Sequence, residues 1–384
     1  MHEKIRNEFI KSFQKSKIGS ITIRTPDNHE YKFQGEQSGI SCDFFIKDWS
    51  VIDTIIKRGD IGLGETYCQH LWESSNVSDF LSYCSHNLDY IKNNGSANVL
   101  NRILFYFYNN FTRLNTKYGS KKNITEHYDI GNSFYKMWLD PTMTYSSALR
   151  KSSGDTLEAA QLNKYNRIIE TLSLAGKNVL EIGCGWGGFA EQAASSGANV
   201  TGITISNEQY AFATKRIGMK ANILMQDYRD IKKKYDHIVS IEMFEAVGER
   251  YWATYFNKIK NSLTKGGRAI VQTITIRDDI FNAYRKNSDY IRHYVFPGGM
   301  LPSKSRLYEE VNRAKMDVGS VLEFGHDYAW TLRQWLATFL EIKTNLAALN
   351  YSPYFLRAWE FYLSMCIAGF ESKRTDVVQV EIRN

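Results

Sequence analysis

The apolar stretch Val179-Leu180-Glu181-Ile182 runs into Gly183-Cys184-Gly185-Trp186-Gly187-Gly188 and then into residues of helical pattern. A strand that ends in a glycine-rich turn and opens a helix restricts the chain to an open α/β sheet. Glycine lets backbone amides come close to a ligand, and in such sheets ligands lie at the carboxyl ends of the strands. From about residue 123 the rhythm of the chain agrees. Strands are expected at 179–182, 200–203, 222–225, 237–241 and 269–273, with helical stretches between them and late strands near 320–324 and 377–382. This alternation predicts a mostly parallel, Rossmann-like sheet of seven strands covered on both faces.

The turn alone is ambiguous, because Gly183, Gly185 and Gly188 also satisfy the dinucleotide pattern GxGxxG. Two positions separate the alternatives. Glu181 places a carboxylate just before the turn, where it suits the ammonium of a methionine moiety. A ribose-binding acid is expected about 20 residues beyond the turn of a dinucleotide site, yet Thr204 stands there, with Gln209 close behind. These hydroxyl and amide groups can hold a ribose without marking an oxidoreductase. Gln226-Asp227-Tyr228 follows the third strand, where an adenine edge would lie. The residues favour S-adenosylmethionine over a nicotinamide, and methyl transfer over hydride transfer.

A length of 384 residues exceeds one typical core and predicts two domains. Residues 1–95 form a small α+β N-terminal domain, 96–122 a connector, and 123–384 the catalytic domain. In the first, Ile21-Thr22-Ile23-Arg24-Thr25 and Tyr31-Lys32-Phe33 read as strands, residues 51–56 as a helix, and Gly59-Asp60-Ile61-Gly62-Leu63-Gly64-Glu65 as the break after it. The connector carries Phe105-Tyr106-Phe107-Tyr108 and Phe111 among Arg102, Arg113, Lys117, Lys121 and Lys122, a composition suited to a lipid headgroup layer or to packing between domains. The five cysteines are scattered without CxxC pairs, which argues against a zinc site or a disulfide framework and points to a reducing cytoplasm. No segment reads as a signal peptide or reaches the roughly 18 apolar residues of a spanning helix. A net charge of +7 is compatible with an anionic membrane surface. No basic stripe or base-flipping signature supports a nucleic-acid substrate.

From about residue 50 onward the chain resembles the cyclopropane-fatty-acyl-phospholipid synthases, a class I methyltransferase family. The resemblance rests on Gly62-Leu63-Gly64-Glu65-Thr66-Tyr67, Glu126-His127-Tyr128-Asp129-Ile130-Gly131-Asn132, Met143-Thr144-Tyr145-Ser146-Ser147-Ala148 and the glycine turn. It continues through Met243-Phe244-Glu245-Ala246-Val247-Gly248, Phe296-Pro297-Gly298-Gly299-Met300-Leu301-Pro302-Ser303, and Asp327-Tyr328 before Thr331-Leu332. It implies that Tyr145 and Ser146 join Glu181, Gly183, Gly185, Gly187, Thr204, Gln209, Asp227 and Tyr228 around S-adenosylmethionine. It also implies an acceptor alkene within a phospholipid acyl chain, a peripheral membrane location, and an N-terminal domain that serves membrane docking or homodimer formation.

The resemblance further implies a bound bicarbonate as base, held by a Cys, a Glu, a His, a Tyr and the backbone of an Ile. Here Glu245, Tyr328 and Ile274 match, but Ser147 replaces the Cys, Gln272 the His, and Ala246 a further His. Ser and Gln hydrogen-bond an anion, but neither titrates near neutral pH, which puts the bicarbonate in question. Glu245 is left as the acid/base candidate on these motifs, with Phe244 and Tyr328 as aromatic faces for a carbocation. The three departures resemble another branch of the superfamily, which methylates unsaturated chains to methylene-branched products. An N-methyltransferase of a soluble amine is the competing expectation. Cys366 matches a family cysteine and reads as a buried structural thiol; His127 and His293 are lesser candidates for proton transfer.

Overall fold

The structure, a computed structural model, describes residues 2–91 and 131–384. The basic aromatic segment, Glu126 to Ile130 and His127 lie outside the described residues. The chain divides into two compact units.

One unit holds described residues 131–285, Phe296–Thr331 and Thr375–Asn384. Its sheet runs β10(Asp317–Glu323), β11(Thr375–Arg383), β9(Leu263–Ile276), β8(Tyr235–Ile241), β5(Asn178–Ile182), β6(Asn199–Thr204), β7(Asn222–Met225). All strands run in one direction except β11, which is antiparallel to both neighbours. Alternation along β5 explains the burial of both faces. Leu180 and Ile182 enter one apolar cluster with Phe244, Trp252 and Phe256, and Val179 enters the other with Ile168, Phe189 and Val200. The sequence places every one of these strands, although β9 is longer than the pattern suggested. Helices α5(Asn132–Trp138), α6(Leu157–Leu172), α7(Gly188–Ser195), α8(Asn207–Ile217), α9(Trp252–Ser262), α10(Asp278–Lys286) and α11(Lys304–Arg313) complete the layers, and α12(Gly325–Ala348) begins here.

The other unit is assembled from three separate segments rather than one N-terminal stretch: residues 2–91, Lys286–Val295 and Leu332–Arg374. Its four-stranded sheet has the order β2(Glu30–Gln34), β1(Ile18–Arg24), β3(Gln37–Ile46), β4(Trp72–Glu73). Around it lie α1(His2–Ser12), α2(Ser50–Arg58), α3(Asp60–Cys68), α4(Val77–Ile91) and α13(Pro353–Glu371). Helix α13 belongs with this unit because Arg357 lies 3.7 Å above the Tyr67 ring and donates to the Tyr67 and Trp72 carbonyls.

Gly59, at φ +60°, does end α2, but Gly62 and Gly64 lie within helix α3 rather than in a break. The reason is close packing. A Cβ at Gly64 would fall 2.4 Å from the Tyr290 ring and 2.7 Å from that of Phe361, so only hydrogen fits.

Candidate active site

The turn after β5 has the geometry the sequence demanded. Gly183, Gly185 and Gly187 take φ of +79°, +52° and +86°, values that side-chain-bearing residues rarely adopt. Glu181 is buried at the end of β5, accepts the Ala190 N–H in the first turn of α7, and has its Oε2 without a partner. Burial pushes its carboxyl up to about 8. An enclosed carboxylate oxygen with no donor beside a glycine cradle fits the ammonium of S-adenosylmethionine. Thr204 Oγ1 donates to Gln209 Oε1 (2.9 Å) and receives the Ser206 N–H (3.2 Å), which fixes both side chains past β6. Asp227, past β7, is gripped by the Arg229 guanidinium at 2.8 and 2.6 Å, and Tyr228 packs edge-on against Tyr255.

The segment carrying Tyr145, Ser146 and Ser147 is held from below by α6. Gln161 donates to the Ser146 carbonyl (2.9 Å), and the Lys164 ammonium donates to Ser146 Oγ (2.5 Å) and Gln161 Oε1 (2.6 Å). Lys164 is fully buried, and burial draws its ammonium down to about 7 against the opposing pull of Glu242, Asp140 and Glu181. The Tyr145 ring leans on Tyr135 and Trp138, while Trp186 of the glycine turn packs at a tilt against Tyr135 and donates to Asn132 Oδ1 (2.6 Å).

A second centre forms where β8 and β9 end. Glu242, directly after β8, accepts the Ser147 N–H (2.8 Å) and the Gln272 amide N–H (2.7 Å) on Oε1, and the Tyr328 hydroxyl (2.6 Å) on Oε2. Glu245 accepts the Ile274 N–H on Oε1 (2.6 Å), and its Oε2 is buried without a partner. The Glu245 carbonyl receives the Met300 N–H (2.8 Å), which ties the Phe296-to-Ser303 motif to this centre. Desolvation raises both carboxyls, and the charge of Glu242 helps push Glu245 up to about 8. Two neighbouring buried carboxyls, both raised above the usual carboxylate range, are equipped for acid/base work.

The donors expected to hold a bicarbonate are therefore already engaged. The Ser147 N–H, the Gln272 amide and the Tyr328 hydroxyl are directed at Glu242 and the Ile274 N–H at Glu245, while the Ser147 hydroxyl donates to the Ala148 carbonyl. The protein's own carboxylates fill the cradle and would repel a second anion, so this chain does not fit a bicarbonate.

The family model for mycolic acid cyclopropane synthetase matches residues 115–380. The chain belongs to this family. It is 33% identical to the cyclopropane-fatty-acyl-phospholipid synthase of Escherichia coli, over 93% of this chain and 94% of that protein. It is likewise 33% identical to the tuberculostearic acid methyltransferase UfaA1 of Mycobacterium tuberculosis, over 84% of this chain and 78% of the relative. Among solved structures, mycolic acid cyclopropane synthase CmaA1 complexed with SAH and CTAB superposes with a TM-score of 0.65 and 28% identity, over 69% of this chain and 98% of that one. The sheet is thus that of a class I methyltransferase, and S-adenosylmethionine is the methyl donor of the family.

Within this family member, Phe244 takes another role and Cys366 the structural one expected of it. Phe244 is fully buried, with ring centroids 5.4, 5.0 and 5.2 Å from Trp252, Tyr255 and Phe256; it is core and cannot face a carbocation. Cys366 has a thiol that burial pushes up to about 12, the behaviour of a structural cysteine. His293 sits in the Ile291–Val295 turn, in the unit that does not contain Glu242 and Glu245. Sequence reasoning missed Glu242 and Lys164. The signals were present: an acid directly beyond an apolar strand, and a lysine on the helix face shared with Gln161 and Ile168.

Proposed function

We propose that this enzyme transfers a methyl group from S-adenosylmethionine to the double bond of an unsaturated fatty acyl chain of phospholipid. The observation that carries the reading is the buried carboxyl pair, Glu242 and Glu245, in the same compact unit as the glycine turn. S-adenosylmethionine supplies an electrophilic methyl when bound. Glu181 and the glycine turn orient it, and the enclosed carboxyl centre removes the proton that the acyl-chain cation must lose. If that proton leaves the new methyl, the ring closes; if it leaves a neighbouring position, a methylene-branched chain results.

Equal identity to a cyclopropane synthase and to a fatty acid methyltransferase supports carrying both products. The test is purified enzyme with labelled cofactor and mono-unsaturated phospholipid vesicles. A gain of CH2 on the acyl chain is expected, and proton NMR separates the products by the upfield cyclopropane signals. Lipids recovered without added CH2 would sink the reading in favour of a soluble acceptor such as an amine. Among the described residues no helix is long and apolar enough to cross a membrane. With a net charge of +7, the enzyme would reach its substrate by peripheral docking on an anionic leaflet, as a cytoplasmic monomer or homodimer. Flotation with anionic and neutral vesicles tests the docking.

A further inference from the structure

We infer that Glu242 is the catalytic proton acceptor and that its carboxylate stands in the place of an exchangeable anion, making the enzyme independent of bicarbonate. The inference rests on the alkene-methylation reading and deepens it.

Three donors from separate elements converge on one side chain: Ser147 N–H from the segment before α6, Gln272 from β9 and Tyr328 from α12. A carboxylate or bicarbonate oxygen is the acceptor such a set is built for. The backbone shows that the placement is enforced. Glu242 takes φ +48°, in the left-handed region that non-glycine residues avoid, while its N–H is fixed to the Gln272 carbonyl (2.8 Å). Such conformations persist where surrounding bonds over-determine them, and they gather at functional sites.

The orientation of Gln272 is itself dictated. Arg167, which has no acceptor, donates to Gln379 Oε1 (2.5 Å); Gln379 must then turn its amide N–H to Gln272 Oε1 (2.9 Å). Gln272 is left with only an N–H to offer, and offers it to Glu242. The charged groups facing Glu242 are Lys164 from α6 and Glu245 from the short turn after β8. Lys164 favours the ionised carboxylate, and the three hydrogen bonds do the same.

The chemistry balances on this residue alone. After methyl transfer the acyl chain bears a cation. One C–H bond breaks, and its electron pair closes the last ring bond or forms a C=C. The proton passes to Glu242, which then releases it to solvent. Glu245, whose Oε1 is held by the Ile274 N–H, is left as the neighbour that keeps its proton, up to about 8, while Glu242 is ionised.

The experiment measures turnover on mono-unsaturated phospholipid vesicles in CO2-free buffer and with added bicarbonate, for the wild type, Glu242→Gln and Glu242→Gly. S-adenosylhomocysteine affinity and melting temperature are measured alongside. The wild type is expected to be indifferent to bicarbonate in both turnover and melting temperature. Glu242→Gln should lose turnover by about 100-fold or more, the range for a missing general base, with S-adenosylhomocysteine affinity within about twofold of wild type. Glu242→Gly, which suits the left-handed backbone, should regain turnover and gain melting temperature when bicarbonate is added. A wild type that slows in CO2-free buffer, a Glu242→Gln variant within tenfold of wild type, or a Glu242→Gly variant unmoved by bicarbonate each overturns the inference. A wild type that modifies no acyl chain under either condition instead overturns the alkene-methylation reading, so the two failures are distinct.

Discussion

Replacing Arg167 by Met should slow proton removal without loosening the cofactor. Arg167 is remote from the acyl chain in bonding terms: its Nη1 reaches Gln379 Oε1 at 2.5 Å, Gln379 reaches Gln272 at 2.9 Å, and Gln272 reaches Glu242 at 2.7 Å. Only the arginine makes this series directional, because an amide can turn end for end and a guanidinium cannot change from donor to acceptor. A hydrogen bond from a charged donor contributes roughly 1.5–3 kcal/mol, more than enough to hold both amides in one orientation. Without it, Gln272 can present its carbonyl to Glu242, and a carboxylate facing a carbonyl oxygen is stable only when protonated.

Losing one of its donors should raise the Glu242 carboxyl by about one pH unit, equivalent to ~1.4 kcal/mol. Glu242 acts as the ionised form, so the acid limb of kcat/KM against pH moves upward, and rates on that limb fall about tenfold. Arg167→Lys keeps a donor-only group and should restore most of the profile. S-adenosylhomocysteine affinity, measured by calorimetry, should stay unchanged in both variants. An Arg167→Met profile that overlays the wild type, or a drop in rate matched by a drop in S-adenosylhomocysteine affinity, would refute the argument.

Gly183→Ala should weaken S-adenosylhomocysteine binding at least tenfold, since the new Cβ meets Met243 at 2.8 Å on a backbone of φ +79°; calorimetry checks it. Gly64→Ala should lower stability by about 3 kcal/mol through overpacking, because its Cβ would lie 2.4 Å from the Tyr290 ring, and chemical denaturation measures the loss. Beside ionised Glu242, Glu245 keeps its proton up to about 8, so Glu245→Gln, which copies the protonated carboxyl, should leave the acid limb of the pH profile in place, unlike Arg167→Met; a limb displaced by a full pH unit would contradict the coupling. Glu381 on β11 has its carboxyl lowered from 4.5 to about 2 by hydrogen bonds from Arg383, Ser320 and Arg268. A lowered carboxyl stabilises above its unfolded value and loses that contribution as pH falls through the folded one. Glu381→Gln should therefore cost about 1 kcal/mol above pH ~4.5, discounted for the exposed Arg383, and nothing once the pH is well below ~2.

The catalytic sheet was legible because each parallel strand is buried on both faces and reads as an apolar run bounded by turns. The smaller unit was less so. Strand β3 (Gln37–Ile46) has a weak alternation, since its first residues face solvent, and helix α3 was hidden by glycines that serve close packing. Within the site, Ser147, Gln272 and Tyr328 were found by motif, but what they converge on was not. Glu242 escaped because it stands one residue before the Met243-Phe244-Glu245 motif, although the carboxyl end of a parallel strand is where such a group belongs. Lys164 escaped because its neighbours Gln161 and Arg167 make that face of α6 look solvated, whereas Lys164 and Gln161 are both fully buried.

The position of Glu242 carries the last step. A left-handed backbone at a glutamate costs of order 1–3 kcal/mol, and burying a carboxylate costs more. Nothing in the sheet requires a side chain there, since glycine would relieve the backbone at once. What offsets the cost is the set of Ser147, Gln272 and Tyr328 bonds, supplemented by the Lys164 charge. Those donors would be left unpaired by a glycine unless an anion from solution entered among them. A chain with this donor set thus has two stable solutions, an exchangeable anion or a carboxylate of its own, and the geometry at residue 242 belongs to the second.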